Sequence, residues 1–417
     1  MCPSTIAAPQ TSGGIPAIRV CEVCGNDELR AVLDLGAHAL CDDLVPLGDA
    51  RRCRQYPIEI LWCEGCRTAH QKYQVPKHDL FPRSYHYRAS LTRDVLDGME
   101  QLVDSVIANE GDVAGRLVLD VGCNDGSLLS VFARHGARTV GIEPTDAALD
   151  AAARGHEVHQ AFCDLEVARH IVATHGHPHF ITFTNVFAHI EDLPGLLEAL
   201  RVMMGADTRL IIENHYLGAV IARRQFDTFY HEHPRTYSRR SFEVIAASLD
   251  CHLARVEYPS RYGGNIRVVM APGLAEGAPT NLDDPAGLPA EASFGEQLRT
   301  LQPFVSSWRS AMRRTVAALV EQHGPIRAKA FPGRAAILVE LLALDHTMVR
   351  AVYEQPRSPK IGHYVPGTRI PIVSDDSFDV HDASPVLNLA WHIPLEIERY
   401  LRTRGFTGPV LPVLSVD

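Results

Sequence analysis

Leu117-Val118-Leu119-Asp120-Val121-Gly122-Cys123-Asn124-Asp125-Gly126-Ser127 is a short apolar run that ends in a polar, glycine-bearing turn and opens into Leu128-Leu129-Ser130-Val131-Phe132. Such a run bounded by turn residues and followed by a helical pattern reads as a buried strand feeding a helix. Downstream the pattern recurs. Arg138-Thr139-Val140-Gly141-Ile142-Glu143 predicts a second strand ending in an acid, Phe180-Ile181-Thr182-Phe183-Thr184-Asn185 a third, and Arg209-Leu210-Ile211-Ile212-Glu213 a fourth. Strands alternating with helices predict an α/β fold whose core is a doubly wound parallel sheet, with ligands bound beyond the carboxyl ends of the strands.

Upstream, two C-x-x-C pairs, Cys21/Cys24 and Cys63/Cys66, predict a different kind of unit. Each pair sets two thiolates on one tight knuckle, and two knuckles make the sulfur cage that structural zinc prefers. Between them lies an excursion containing Asp34-Leu35-Gly36 and the strand-like Tyr56-Pro57-Ile58-Glu59-Ile60-Leu61-Trp62. Beyond the sheet, residues 271–289 are dense in Pro, Gly, Ala and Asp and read as a linker. After it, 294–323 reads as a helix, 335–344 as an apolar helix or strand, and 365–372 as a turn entering a strand, so a smaller α/β unit closes the chain. The expected domains are 15–82 (zinc-binding), 83–255 (central) and 256–417 (C-terminal).

Composition limits the function. The chain has 417 residues, 46% of them hydrophobic and 22% charged, enough for two to three domains. No apolar run approaches the ~18–20 residues of a membrane span. Forty Lys+Arg against 50 Asp+Glu give a formal charge of −10, the wrong sign for a protein that lives on nucleic acid. Residues 1–14 lack the basic start and apolar stretch of a signal peptide and read as a loose terminus of a cytoplasmic protein. The ten cysteines are therefore expected to be reduced or metal-bound. Small molecules or proteins are the expected partners.

Gly122 and Gly126 allow a ligand to approach backbone, and Glu143 is placed to accept from two ribose hydroxyls. The three-glycine dinucleotide fingerprint is absent, and Asp125 stands where a pyrophosphate would be repelled. That acid suits a cationic cofactor with an amino-acid tail, S-adenosylmethionine. The run 120–126 is similar to the first motif of class I methyltransferases, of Rossmann-like fold, and Asp164, after Ala161-Phe162-Cys163, is placed to accept from an adenine amino group. The densest polar cluster is Phe229-Tyr230-His231-Glu232-His233-Pro234. Tyr230, Glu232 and His233 converge only if the segment turns. A histidine beside a glutamate can be oriented as a general base next to a carbonyl; metal binding by His231 and His233, or a solvated loop without a role, competes with that reading. Tyr85-His86-Tyr87-Arg88 reads by itself as a packing segment.

Together the two C-x-x-C pairs, the 122–126 turn, Asn185 with His189-Ile190, the 226–233 segment, Gly263-Gly264-Asn265-Ile266-Arg267 and Pro366-Gly367-Thr368-Arg369-Ile370-Pro371 resemble the nucleotide-sugar C-methyltransferases of unusual deoxysugar pathways. The resemblance spans nearly the whole chain. It implies methylation at C-3 of an NDP-4-keto-6-deoxysugar, with zinc structural and away from the chemistry. It further implies His233 as base supported by Glu232, with Tyr87 the other group that could take the proton, Tyr230 and Tyr87 on the sugar oxygens, and Asn124, Asn185 and His189 on the cofactor. Asn265, Arg267, Lys360 and Arg334 are the implied substrate contacts, the last two on the diphosphate. The chain departs from the family at 328–334, Ala-Lys-Ala-Phe-Pro-Gly-Arg in place of G-x-G-A-x-A-K, at Tyr262 in place of histidine, and at His86 and Arg88 beside Tyr87. An O- or N-methyltransferase of a small metabolite, or a zinc-ribbon module binding nucleic acid or protein, are the other readings. The sequence leaves the oligomeric state open; a monomer is compatible with it.

Overall fold

The computed structural model describes residues 11–12, 15–85, 87–273 and 287–415. The 1–14 terminus apart from 11–12, His86, the side chain of Tyr262, and 274–286 of the expected linker lie outside the described residues. Seven strands form the central sheet, adjacent in the order Cys251–Glu257, Asn265–Pro272, Arg209–His215, Phe180–Thr184, Leu117–Val121, Arg138–Ile142, Glu157–His159. The last five in that order run parallel, and Asn265–Pro272 pairs antiparallel with both of its neighbours. Leu117–Val121 sits between two parallel neighbours and is buried along its whole length, as its unbroken apolar run requires.

This sheet corrects one expected boundary. A division at 255 and 256 would cut the hairpin made by Cys251–Glu257 and Asn265–Pro272, so the central unit continues to Pro272, two residues into the expected linker. The helix Phe294–His323 then leads to the C-terminal sheet. Its strands Ile372–Ser374, Val349–Glu354, Ile326–Lys329, Val386–Asn388 and Val410–Pro412 lie in that order, all parallel. The apolar stretch after Arg334 is the helix Ala335–Leu341. Ala330 sits at φ +61°, in the left-handed region, at a position where the resembled family has glycine.

The N-terminal sheet pairs Leu29–Ala39, Gln55–Cys63 and Thr68–Gln71 antiparallel, and its fourth strand, Arg235–Thr236, comes from the central domain. His363–Tyr364 of the C-terminal domain likewise pairs with Val45–Pro46. The three units are thus stitched by shared backbone ladders. No helix among the described residues is long and apolar enough to cross a membrane.

Candidate active site

A cavity of about 900 Å³ opens where the three units meet. One side is the turn after the first central strand. Gly122 has φ +72°, and a Cβ there would come within 2.6 Å of Val186. Asn124, at φ +51°, is fixed by its own side chain, which accepts from the Ala89 amide at 2.9 Å and donates to the Tyr87 carbonyl at 3.1 Å. Glu143, just past Arg138–Ile142, is preset by donors: Asn124 N–H reaches Oε2 at 3.0 Å, and Thr145 N–H and Oγ reach Oε1 at 2.9 and 2.6 Å. Asp164 caps the helix Leu165–His175 through the Val167 amide at 2.9 Å. Asp120, Phe162, Cys163, Asn185 and His189 line the same side. Burial pushes the Asp120 carboxyl up to about 7 against the Thr182 hydroxyl at 2.6 Å.

Asp125 and Gly126 are not in the wall. Burial opposes the charge on Asp125, but hydrogen bonds from Ser127 (Oγ at 2.6 Å) and the Ser90 amide (3.0 Å), with Arg154 at 3.3 Å, hold it below the usual carboxylate range. It braces the turn from behind, and Gly126, at φ +74°, is needed where a Cβ would strike His156 and Ala151.

The other side is richer in histidine. The segment 229–234 does turn, with the His233 amide donating to the Tyr230 carbonyl at 2.9 Å, and it brings Tyr230, Glu232 and His233 to the cavity. His233 Nδ1 lies 3.0 Å from the Thr228 carbonyl. A carbonyl only accepts, so Nδ1 carries the proton and Nε2 the lone pair. The orienting group is therefore Thr228, not the adjacent Glu232, which instead accepts from Tyr85 Oη at 3.4 Å. Burial, then His189 and His215, lower His233 well below its ordinary value, so it is neutral at pH 7. Burial, then Asp42, raises the Glu232 carboxyl well above its usual range. His231 points elsewhere, to the Tyr56 carbonyl at 3.0 Å, so the two histidines do not form a metal pair.

Arg334 stands beside this group, with Nη1 on Thr228 Oγ at 3.0 Å, Nε 3.4 Å from Asp227, and its guanidinium 5.2 Å over Trp391. Its Nη2 is buried without a hydrogen-bond partner. Lys360 lines the cavity and donates to the Phe331 carbonyl at 2.8 Å. Tyr87 lines it and is half-exposed.

Asn265 and Arg267 are not brought to the cavity. Glu213 is fully buried and takes Arg267 Nε at 2.7 Å, Arg261 at 2.5 Å and Asn265 Nδ2 at 3.0 Å, while Arg267 Nη1 reaches Glu257 at 2.6 Å. Glu213 and Arg267 are cross-strand partners, so the pair is a product of sheet register. Asp42, His215 and His392 are among the cavity residues that no sequence signal marks, and Tyr85, read there only as packing, joins them. Burial, with Arg334 next, lowers His215 and His392 to about 3. Only their grouping in space identifies them.

The four cysteine sulfurs lie within 4.8 Å of one another, with Cys21 to Cys66 at 3.3 Å and Cys24 to Cys63 at 3.5 Å. Zn–S bonds of ~2.3 Å in a tetrahedron need sulfurs roughly 3.8 Å apart, so the donor set fits zinc. Thr68 Oγ, 3.1 Å from Cys66 Sγ, adds a polar group around the thiolates. The knuckles reach the active segment through hydrogen bonds. Glu22, inside the first C-x-x-C, pairs with buried Arg235 at 2.5 Å, and Arg235 donates to the carbonyls of Ile190 and Glu191 beside His189. The Gln71 side chain donates to the carbonyls of Phe229 and Tyr230 at 3.2 and 3.3 Å.

Three family models match the chain in succession: a putative zinc binding domain over 21–81, a methyltransferase domain over 87–255, and a C-methyltransferase C-terminal domain over 260–408. The C-methyltransferase NovU of Streptomyces niveus is 29% identical over 385 residues, 90% of each chain. Among solved structures, the magnesium protoporphyrin IX methyltransferase of Synechocystis with S-adenosylmethionine bound is 19% identical, with a TM-score of 0.33 over 43% of this chain and 83% of that one. A methyltransferase of Archaeoglobus fulgidus is 13% identical, with a TM-score of 0.35 over 44% and 98%.

Proposed function

We propose that this chain is an S-adenosylmethionine-dependent methyltransferase built from these three domains and methylates C-3 of a nucleoside-diphosphate-linked 4-keto-6-deoxysugar. The supporting observation is that one cavity joins the preset turn at Gly122, Asn124 and Glu143 to a neutral histidine whose Nε2 lone pair is fixed by the Thr228 carbonyl. A ketone at C-4 acidifies the C-3 hydrogen, and His233 Nε2 removes it. Charge then develops on the C-4 oxygen. Arg334, with a buried unpartnered N–H and a position beside His233, is placed to meet that oxygen, alongside Tyr230. A protonated Glu232, held by burial beside Tyr85, is a donor for a sugar oxygen and does not draw the proton from His233. Glu143 and Asp164 would hold the ribose and adenine, and the bound cofactor supplies the electrophilic methyl that the C-3 carbon takes. Lys360 is proposed for the diphosphate, while Arg334, ion-paired with the buried Asp227, serves the enolate oxygen instead.

The test is product structure. Incubation with a TDP-4-keto-6-deoxysugar and methyl-labelled S-adenosylmethionine is expected to give a labelled methyl bonded to carbon by NMR. A label on oxygen or nitrogen across the substrates turned over would replace this reading with that of a small-metabolite O- or N-methyltransferase.

A further inference from the structure

Two groups of at least three His, Cys, Asp or Glu residues have converging ligand atoms among the described residues. One is the cysteine set. The other, Glu157, His159 and His175, lies on the outer edge of the central sheet and belongs to no step above. Glu157 and His159 are alternate residues of the edge strand Glu157–His159 and so share a face. His175 is in the last turn of the helix Leu165–His175.

The three ligand atoms lie within 4.8 Å of one another. His175 Nε2 is 3.1 Å, and His159 Nε2 3.9 Å, from Glu157 Oε1. Neither imidazole nitrogen has a hydrogen-bond partner, although both atoms are buried, and the His175 side chain is only 9% exposed. Two buried nitrogens aimed at one carboxylate without hydrogen-bonding it form an arrangement that a cation between them would satisfy. A dication there would also face the negative end of the helix. The ring of His170, edge-on to His159 at 5.3 Å, closes a further side.

We propose that Glu157, His159 and His175 form a second metal site, for a zinc-class divalent ion held by two imidazoles and one carboxylate with its remaining positions open to water. The ion pins the edge strand to the helix that covers it. Both lead to the cofactor side: the His159 carbonyl accepts from the Glu143 amide at 3.1 Å, and the helix starts at Asp164.

The experiment is metal analysis of the full chain after equilibrium dialysis against micromolar zinc, with a thermal melt on the same samples. Wild type is expected to hold two zinc ions per chain, and His159→Ala/His175→Ala one, with methyl transfer retained in the variant. The milder His175→Gln should also hold one, and added zinc should raise the melting temperature of wild type alone. One zinc per chain in wild type, or two in the double variant, would overturn the proposal.

Discussion

The two sides of the cavity are held by different means. The glycine-turn side is fixed from within one stretch of the central domain, residues 90–167: Glu143 by Asn124 and Thr145, Asp164 by Val167, and Asp125 by Ser127 and Ser90. The histidine side is held from far along the chain, through Gln71 to Phe229 and Tyr230, Glu22 to Arg235, and Trp391 to Asp227 at 2.8 Å. Damage to the N-terminal domain should therefore strike the proton-removing side and spare cofactor affinity, and damage at the turn should do the reverse.

The harshest way to break the comparison is to remove zinc. A structural zinc contributes roughly 10 kcal/mol or more to folding, as much as the whole stability of many domains. Cys21→Ser/Cys63→Ser is expected to lose the metal and all methyl transfer and to become largely insoluble, followed by metal analysis and circular dichroism. A soluble, fully active double variant would contradict this. Arg235→Gln is the finer cut. Removing one partner of a buried ion pair costs about 3–5 kcal/mol of stability, and release of the Ile190 and Glu191 carbonyls should lower kcat by about tenfold, with partial rescue by Arg235→Lys. The dissociation constant of S-adenosylhomocysteine, by calorimetry, should change far less than kcat, because no residue of the Glu143 turn leans on Arg235 and, of the cofactor side, only His189 lies beside its carbonyl partners.

Glu143→Ala is the mirror image. Losing hydrogen bonds to a charged carboxylate, worth about 1.5–3 kcal/mol, should weaken S-adenosylhomocysteine by roughly 10- to 100-fold while kcat at saturation changes little. The pH profile addresses the histidine side alone. Because burial lowers His233, its neutral form persists below the ordinary histidine value, and the acid limb of kcat/KM should lie below pH 6.5. A limb above 6.5 would exclude His233 as the titrating base. The smallest effect is expected from Asp125→Asn, which loosens the turn from behind: about 1 kcal/mol and a few degrees in Tm, with cofactor affinity nearly unchanged.

What was legible in the sequence divides along the same line. Gly122, Asn124, Glu143 and Asp164 follow from local rules, since a turn and the strand beside it fix where they point. The cysteine knuckles follow from spacing. The resemblance implies Arg267 as a substrate contact; only the strand register, which sets it against Glu213, shows that it is spent. Adjacency in sequence suggests Glu232 as the support of His233, but consecutive residues in a turn diverge, and the partner is the carbonyl of Thr228, five residues back. His215 and His392 sit on separate domains and carry no motif, so nothing short of the assembled fold brings them to His233.

The central claim is that the histidine side removes a proton next to a ketone independently of methyl transfer. The direct measurement is deuterium uptake from heavy water at C-3 of an NDP-4-keto-6-deoxysugar, followed by NMR with S-adenosylhomocysteine bound. Exchange above the enzyme-free rate in wild type, abolished in His233→Asn with unchanged S-adenosylhomocysteine affinity, is the predicted result. Undiminished exchange in His233→Asn would contradict it.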